Sequence, residues 1–295
     1  MTISTVDKKD WSILSLIEWG TQFLNEKGFD DARLNVELLL CHILNNKRID
    51  LYLKFDCILS PEELGNFKLL FRRRLLHEPL QYIIGETEFM GLRFQVDARV
   101  FIPRADTEVL VEQVIKHFGQ ESNDTLRILD IGTGSGNISI SIAKYLKHCI
   151  IDTIDISSDA LEVAISNIRY HQLEDRITLI HGNVLEVEQK YIHPPYDIIV
   201  SNPPYIPEDE FRTLQPEVRD HEPVFANTDH ADGLTFYKSI AVIGNKKLQT
   251  EGTIFVEIGY DQSESVPNIF RQSGYRNINL IQDYNGINRV VKASM

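Results

Sequence analysis

The chain has 295 residues, 43% of them apolar and 25% charged, with a formal net charge of −13 at neutral pH; this length gives one or two domains with a sizeable core. The acidic balance disfavours nucleic acid as a direct partner, because phosphate attraction needs positive charge. Cys41, Cys57 and Cys149 are scattered without disulfide or metal spacing, the N-terminus lacks a signal-peptide core, and no apolar run approaches the roughly 20 residues that cross a bilayer, so the reading is a cytoplasmic protein with no membrane partner.

Residues 10–77 read as helices. "WSILSLIEWGTQFLNEKG" carries apolar residues at helical spacing and stops at Gly28. "DDARLNVELLLCHILN" continues after Asp30 or Asp31, either of which suits an N-cap. "SPEELGNFKLLFRRRLLHEP" opens with Ser60 as N-cap, Pro61 at the first helical position and Glu63 at the capping-box position, and it ends before Pro79. Its "RRR", residues 72–74, reads as a solvated helix face. Aromatic and β-branched residues alternate with polar ones over 80–103, with Gly85 and Gly91 as punctuation, which predicts hairpin strands. The expected organisation is a helical domain over 1–78, a β-hairpin linker over 79–103 and an α/β domain over 104–295.

Within the last segment, Thr107 and Glu108 suit the cap of a helix. "LRILDIG", "IIDTIDIS", "RITLIHGN", "YDIIVSN" and "GTIFVEIG" read as strands. Helices are expected at "NISISIAKYLK", "SDALEVAISNIRYHQL" and "GLTFYKSIAVIGNKKL", the second opened by Ser157 or Ser158. The tail reads as two strands around Asn285-Gly286. Strands alternating with helices predict a mostly parallel, Rossmann-like α/β sheet ending in an antiparallel hairpin. The proline-bearing loop 202–234 is long enough to suggest function.

Four strand ends carry ligand-type residues on one edge of that sheet, where open α/β sheets bind ligands. The first is "DIGTGSG", in which Gly132, Thr133, Gly134, Ser135 and Gly136 form a turn that brings backbone close to a ligand at the start of a helix. The second ends in Asp155, some 20 residues on, where a carboxylate holds ribose hydroxyls. A nicotinamide cofactor is compatible with this much, although the spacing is G-x-G-x-G and Asp130 is unusual there. No P-loop lysine follows, which argues against a nucleoside triphosphate. The third ends "HGNV"; Asn183 can accept a hydrogen bond from an adenine amino group through its side-chain carbonyl. The fourth ends "SNPPY", residues 201–205. His77, His181, His193 and His221 show no second-ligand spacing, so no metal is expected.

The order "DIGTGSG … TIDIS … HGN … IVSNPPY" resembles class I S-adenosylmethionine-dependent methyltransferases acting on planar nitrogen. More narrowly, "PLQYIIGETEFMGLRFQVDARVFIPRADTEVLVE", "VRDHEPVFANTDHADGLTFYKSI", "FVEIGYDQ" and "DYNGINRVV" resemble the HemK-type (PrmC) family. That resemblance covers nearly the whole chain. It implies methyl transfer from S-adenosylmethionine to the side-chain amide of the glutamine in the Gly-Gly-Gln loop of peptide chain release factors, with the helical N-terminus recognising substrate. Asn183 stands where that family commonly has Asp, Val184 where a bulkier residue is frequent, and Asn35 where Asp is usual.

An amide nitrogen is a poor nucleophile, so it must be held in line with the methyl donor. Asn202 is expected to accept from one amide N–H through its side chain and Pro203 from the other through its carbonyl, accommodating positive charge as it develops. Pro203 and Pro204 stiffen the segment, and Tyr205 offers a flat ring to the amide. Gly132 to Gly136, Asp155, Asn183, Val184 and Asn202 are the expected cofactor contacts. Phe101 suits either a cofactor contact or core, Glu222 a brace for the substrate loop, and Glu257 a support behind the site. Rival readings are a DNA or RNA amino-methyltransferase sharing NPPY, a ribosomal-protein glutamine methyltransferase, and a cofactor-binding protein without catalysis.

Overall fold

Helical spacing of apolar residues puts Ile13, Leu16, Ile17, Gly20 and Leu24 on one buried face of α1 (Ile13–Glu26). The computed structural model describes residues 10–119, 125–186 and 195–295; His193 lies outside the described residues. The chain divides into two compact units with the boundary between Ile84 and Gly85.

In the first unit α1 is followed by α2 (Ala32–Leu44), α3 (Arg48–Leu53), α4 (Pro61–Leu75) and α5 (Leu80–Ile84). α1 stops where Gly28, at φ +78°, lets Phe29 N–H return to the Leu24 carbonyl at 3.0 Å. A Cβ on Gly20 would come within 2.9 Å of Val36, so glycine sets the close approach of α1 to α2. The capping box on α4 forms as expected: Ser60 N–H donates to Glu63 at 2.7 Å and Glu63 N–H to Ser60 Oγ at 3.2 Å. Asp31 occupies the N-cap of α2 but in a left-handed conformation at φ +51°, without a side-chain capping bond. Asn35 serves that end instead, donating to the carbonyls of Asp30 and Asp31. The arginine run is not uniformly solvated. Arg74 is buried, donates Nε–H to Asn35 Oδ1 at 2.6 Å and stacks over Phe29 at 4.6 Å; its guanidinium is plane enough to pack as well as to bond. Leu80–Ile84 is a short helix rather than strand, because Pro79 starts a turn whose carbonyl accepts from Tyr82 and Ile83.

In the second unit β1 (Glu86–Phe89) and β2 (Leu92–Gln95) form the hairpin, and their Phe89 and Phe94 are buried in this unit's core. After α6 (Ala105–Phe118) come β3 (Leu126–Ile131), α7 (Asn137–Tyr145), β4 (Cys149–Asp155), α8 (Ser158–Tyr170), β5 (Ile177–His181) and β6 (Tyr196–Ser201). The long loop then holds three single-turn helices, α9 (Glu208–Phe211), α10 (Pro216–Arg219) and α11 (Val224–Asn227). α12 (Thr235–Lys247), β7 (Leu248–Glu257), α13 (Ser265–Gln272), β8 (Asn277–Gln282) and β9 (Asn288–Ser294) complete the chain.

Seven strands make one sheet in the order β5-β4-β3-β6-β7-β9-β8, parallel except for β9, which runs antiparallel to both β7 and β8. Strand alternation sorts the core into two faces. Ile128, Ile198, Val200, Phe255 and Val290 face one layer with α6 and α7, whereas Leu129, Ile199, Ile254, Val256 and Val291 face another with α12 and α13. Both layers are apolar, so the polar ends of the parallel strands are left to meet ligands. No helix among the described residues is long and apolar enough to cross a membrane.

Candidate active site

The strand order reverses at β3, with β4 on one side and β6 on the other. A cavity of about 310 Å³ opens at the carboxyl ends of these strands. Gly132, Thr133, Gly134, Ser135, Asp155, Asn183, Val184 and all of Asn202 to Tyr205 line it. Gly136 does not. Its φ is +81°, and a Cβ there would press on Ile140 and Ala164, so it serves helix packing beneath the loop.

The glycine turn is held from two sides. Asp155 accepts Gly134 N–H at 2.9 Å through one oxygen and Ser157 N–H at 2.9 Å through the other. Burial pushes its carboxyl up, while these backbone donors pull it down. On the far side Asn167, buried in α8, donates to the Ser135 carbonyl at 2.9 Å and exchanges hydrogen bonds with Gln95 of the hairpin. Asn167 was not singled out from sequence, where it looked like one more polar residue of a helix. Below the turn, Asp130 accepts from Ser139 and Thr153, and burial pushes it up to about 7. At the third strand end Asn183 turns its side-chain carbonyl to Leu185 N–H at 3.0 Å, an Asx-type turn.

At the fourth strand end Ser201 donates to the Ile131 carbonyl at 2.7 Å, locking β6 to β3 just before the NPPY stretch. Asn202 donates its Nδ2–H to Thr107 Oγ1 at 3.1 Å. Thr107 and Glu108 do not cap α6; Arg104 is the N-cap residue, without a side-chain bond. Thr107 is buried in the first turn and faces the site, and Glu108 accepts from Met90 N–H of the hairpin. Tyr205 donates its hydroxyl to Glu257 Oε1 at 3.2 Å, and its carbonyl accepts from Gln262 Nε2 at 3.0 Å. Glu257 is the last residue of β7. Burial pushes it up to about 7 against the pull of Thr107, Arg289 and Tyr205, and its Oε2 has no hydrogen-bond partner among the described residues.

One wall is braced across the cavity. Phe101 lines it, the Arg104 guanidinium stacks on Phe101 at 4.9 Å, and Arg104 pairs with the buried Glu222 of the long loop. Gly233, at φ +75°, closes that loop where a side chain would overlap the Tyr205 carbonyl. Of the histidines, His181 bonds the Ile156 carbonyl at 2.9 Å and His77 stacks on Phe29. No group of three or more His, Cys, Asp or Glu side chains that could hold a metal occurs among the described residues.

The donor set fits a nucleoside-bearing cofactor. Gly132 and Gly134, both at positive φ, keep Cβ atoms out of its path, Asp155 offers carboxylate oxygens, and the apolar Ile154, Ile156, Val184 and Leu185 border the same end. Beside it Asn202, Pro203 and Tyr205 present a carbonyl, a stiff backbone and a ring that together suit a small planar group.

Comparison with known proteins agrees with this arrangement. Residues 15–85 match the PrmC N-terminal domain and residues 104–215 the methyltransferase small domain. A release factor glutamine methyltransferase of Geobacter sulfurreducens is 41% identical, covering 95% of this chain and 96% of its own. One from Chlorobaculum tepidum is 39% identical, covering 96% and 97% respectively. The catalytic domain of human Mettl16 shares the fold at a TM-score of 0.54 and 15% identity, over 81% of this chain and 84% of its own. The chain is an S-adenosylmethionine-dependent methyltransferase, and it belongs to the release factor glutamine methyltransferase family.

Proposed function

We propose that the protein methylates the side-chain nitrogen of the glutamine in the Gly-Gly-Gln loop of peptide chain release factors. The observation that carries this reading is the Asn202 hydrogen bond to Thr107. With Nδ2 turned to Thr107, the Asn202 carbonyl oxygen is left to accept an N–H of a substrate amide. The Pro203 carbonyl supplies a second acceptor on the same rigid segment. Two acceptors aimed at two N–H bonds hold the nitrogen in one orientation and stabilise positive charge as it forms.

When bound, S-adenosylmethionine supplies a methyl group on a positively charged sulfur. Gly132 to Ser135 and Asp155 hold its nucleoside and amino-acid parts, with Asn183 and Val184 toward the adenine. Asn202 and Pro203 orient the substrate nitrogen, Pro204 stiffens them, and the Tyr205 ring packs on the amide plane. The nitrogen sheds its proton to water after transfer, so no tuned base is needed. Residues 1–78 hold the body of the protein substrate, since one glutamine offers little surface for discrimination. The reaction takes place in the cytoplasm without nucleic acid or membrane.

The test is to incubate labelled cofactor separately with a release factor, with ribosomal proteins and with nucleic acid. Label on the Gly-Gly-Gln glutamine, lost when that glutamine is replaced by alanine, is the expected result. Label confined to nucleic acid or to ribosomal protein would overturn the assignment.

A further inference from the structure

No residue of the β1–β2 hairpin lines the cavity. One side chain nevertheless joins the hairpin to the glycine turn. Asn167 of α8 is fully buried, and its amide touches both. Its Oδ1 accepts Gln95 N–H at 2.8 Å, and its Nδ2 donates to the Gln95 carbonyl at 3.0 Å and to the Ser135 carbonyl at 2.9 Å. Gln95 is the last residue of β2, and Ser135 lines the cavity.

The chemistry of the groups permits one orientation of that amide. Gln95 offers it an N–H and a carbonyl, as a neighbouring strand would, and Ser135 offers a second carbonyl. An asparagine has two N–H donors and a carbonyl acceptor, which match these three partners. Turned end for end, it would set oxygen against two carbonyls and NH₂ against an N–H. Leucine fills a similar volume and supplies none of these bonds. Inside the turn, Gly136 N–H donates to the Thr133 carbonyl at 2.8 Å. Both polar atoms of the 135–136 peptide are therefore held, and its plane is fixed. Without Asn167 the Ser135 carbonyl is a buried acceptor with no donor. The peptide then gains by rotating toward another partner, and Gly136, having no Cβ, does not resist.

We infer that Asn167 is a positioning residue for S-adenosylmethionine, and that through it the hairpin sets the affinity of a site it does not touch. The other tethers of the hairpin leave the glycine turn alone. Glu108 of α6 accepts Met90 N–H at 2.5 Å, Tyr145 donates its hydroxyl to the Met90 carbonyl at 2.8 Å, and His171 donates Nε2–H to the Arg93 carbonyl at 2.8 Å. Phe89 and Phe94 add buried apolar contact. These contacts hold the hairpin on its unit, whereas the Gln95–Asn167 pair continues into the cofactor turn.

The experiment is calorimetric titration of S-adenosylmethionine into the parent, Asn167→Leu and His171→Phe, with melting curves on the same proteins. Both substitutions should lower the melting temperature, because each leaves a hairpin carbonyl without its donor. Asn167→Leu should also weaken the cofactor about tenfold, the weight of one buried hydrogen bond, whereas His171→Phe should keep the parent affinity. Hydrogen exchange gives a second readout, on the parent itself. The Gln95 amide exchanges when its bond to Asn167 opens, and coupling between two sites is reciprocal. Saturating S-adenosylmethionine should therefore slow that amide by about the same factor. The Met90 amide, bonded to Glu108, should respond far less. Parent affinity in folded Asn167→Leu, equal losses of affinity in both variants, or Gln95 and Met90 amides that respond alike to cofactor would overturn the inference. If Asn167→Leu does not fold, the exchange of Gln95 against Met90 decides on the parent alone. None of these readouts needs methyl transfer, so the outcome is independent of the proposed substrate.

Discussion

The two units bury carboxylates in opposite ways. Glu37 in α2 is fully buried, and both its oxygens are occupied: Arg33 at 2.7 Å and Tyr52 at 2.8 Å reach one, and Arg48 at 2.6 Å the other. Burial alone would raise its pKa, yet the three partners together hold it below the usual carboxylate range. In the second unit Asp130, Glu222 and Glu257 are as deeply buried, each keeps one oxygen without a hydrogen bond, and burial leaves each raised. A satisfied buried charge serves the fold. Incompletely satisfied acids store free energy, and here they collect behind one cavity, as perturbed groups do at functional sites. Substitutions should therefore separate cleanly: those near Glu37 cost stability, and those at the strand ends cost binding or rate.

The largest effect is expected at Asn202. Asn202→Ala removes an acceptor for the substrate N–H, which costs about 1–3 kcal/mol, or ~10- to 100-fold in rate. Lost alignment can add another ~100-fold. Melting temperature and cofactor affinity should change little, because the glycine turn and Asp155 lie on other strands. Single-turnover transfer at the parent rate would reduce NPPY to a turn and erase the contrast between the units.

Asp155→Ala comes next. Its carboxylate both faces the cavity and anchors Gly134 N–H. Loss of a charged hydrogen-bonding partner should weaken S-adenosylmethionine by roughly 1.5–3 kcal/mol in calorimetry. Unchanged affinity would move the ribose contact elsewhere.

Glu37→Gln tests the other side. It should cost about 2 kcal/mol of unfolding free energy, since the arginines it releases are half exposed and regain water, and cofactor affinity should stay put. The pH dependences should also oppose each other. Glu37 is lowered in the folded state, so its contribution is present above the ordinary carboxylate pKa and fades as pH falls through the folded value. Asp130 is raised from 3.8 to about 7, so its contribution is full below the first value and fades as pH rises through the second. Melting curves against pH should flatten on the acid side for Glu37→Gln and between those two values for Asp130→Asn. Parallel curves for both variants and the parent would show that neither acid titrates as described.

The strands and the ligand edge were legible because apolar runs, glycine spacing and the NPPY order are local signals. What escaped was held by distant partners. Thr107 read as a cap because polar residues at a helix start usually are, yet its hydroxyl serves a residue 95 positions away. Arg74 read as solvated within a basic run, and only the fold supplies Asn35 and Phe29 to bury it. Gln262 closes the "FVEIGYDQ" block, but nothing local shows that it ties the carbonyls of Tyr205 and Gly233 together. The single-turn helices α9 to α11 are too short for a period, and α13 carries Pro267, which breaks the pattern of a helix in sequence. Glu257 was read as a support behind the site, but its burial could not be read from the strand alone, since it depends on α6 and β9 arriving from opposite ends of the unit.

The smallest effect is expected at Asn183, and it tests how far the site tolerates a departure from the acid common in the resembled family. The Asn183 carbonyl oxygen already serves Leu185 N–H at 3.0 Å, and its Nδ2 approaches Glu186 only at 3.5 Å. Asn183→Asp keeps the turn, because a carboxylate oxygen accepts the same N–H. It also replaces a neutral acceptor for the adenine amino group by a charged one, which makes a stronger hydrogen bond. Against that stands repulsion from Glu186, which is exposed and therefore screened by salt. The net change should be a gain in cofactor affinity of up to about 1 kcal/mol, larger at high salt than at low. Calorimetric titrations at two ionic strengths measure both terms. A loss of affinity that salt does not relieve would mean that Nδ2, rather than the carbonyl, makes the contact with the cofactor, and that the asparagine reads a ring nitrogen where an aspartate would read the amino group.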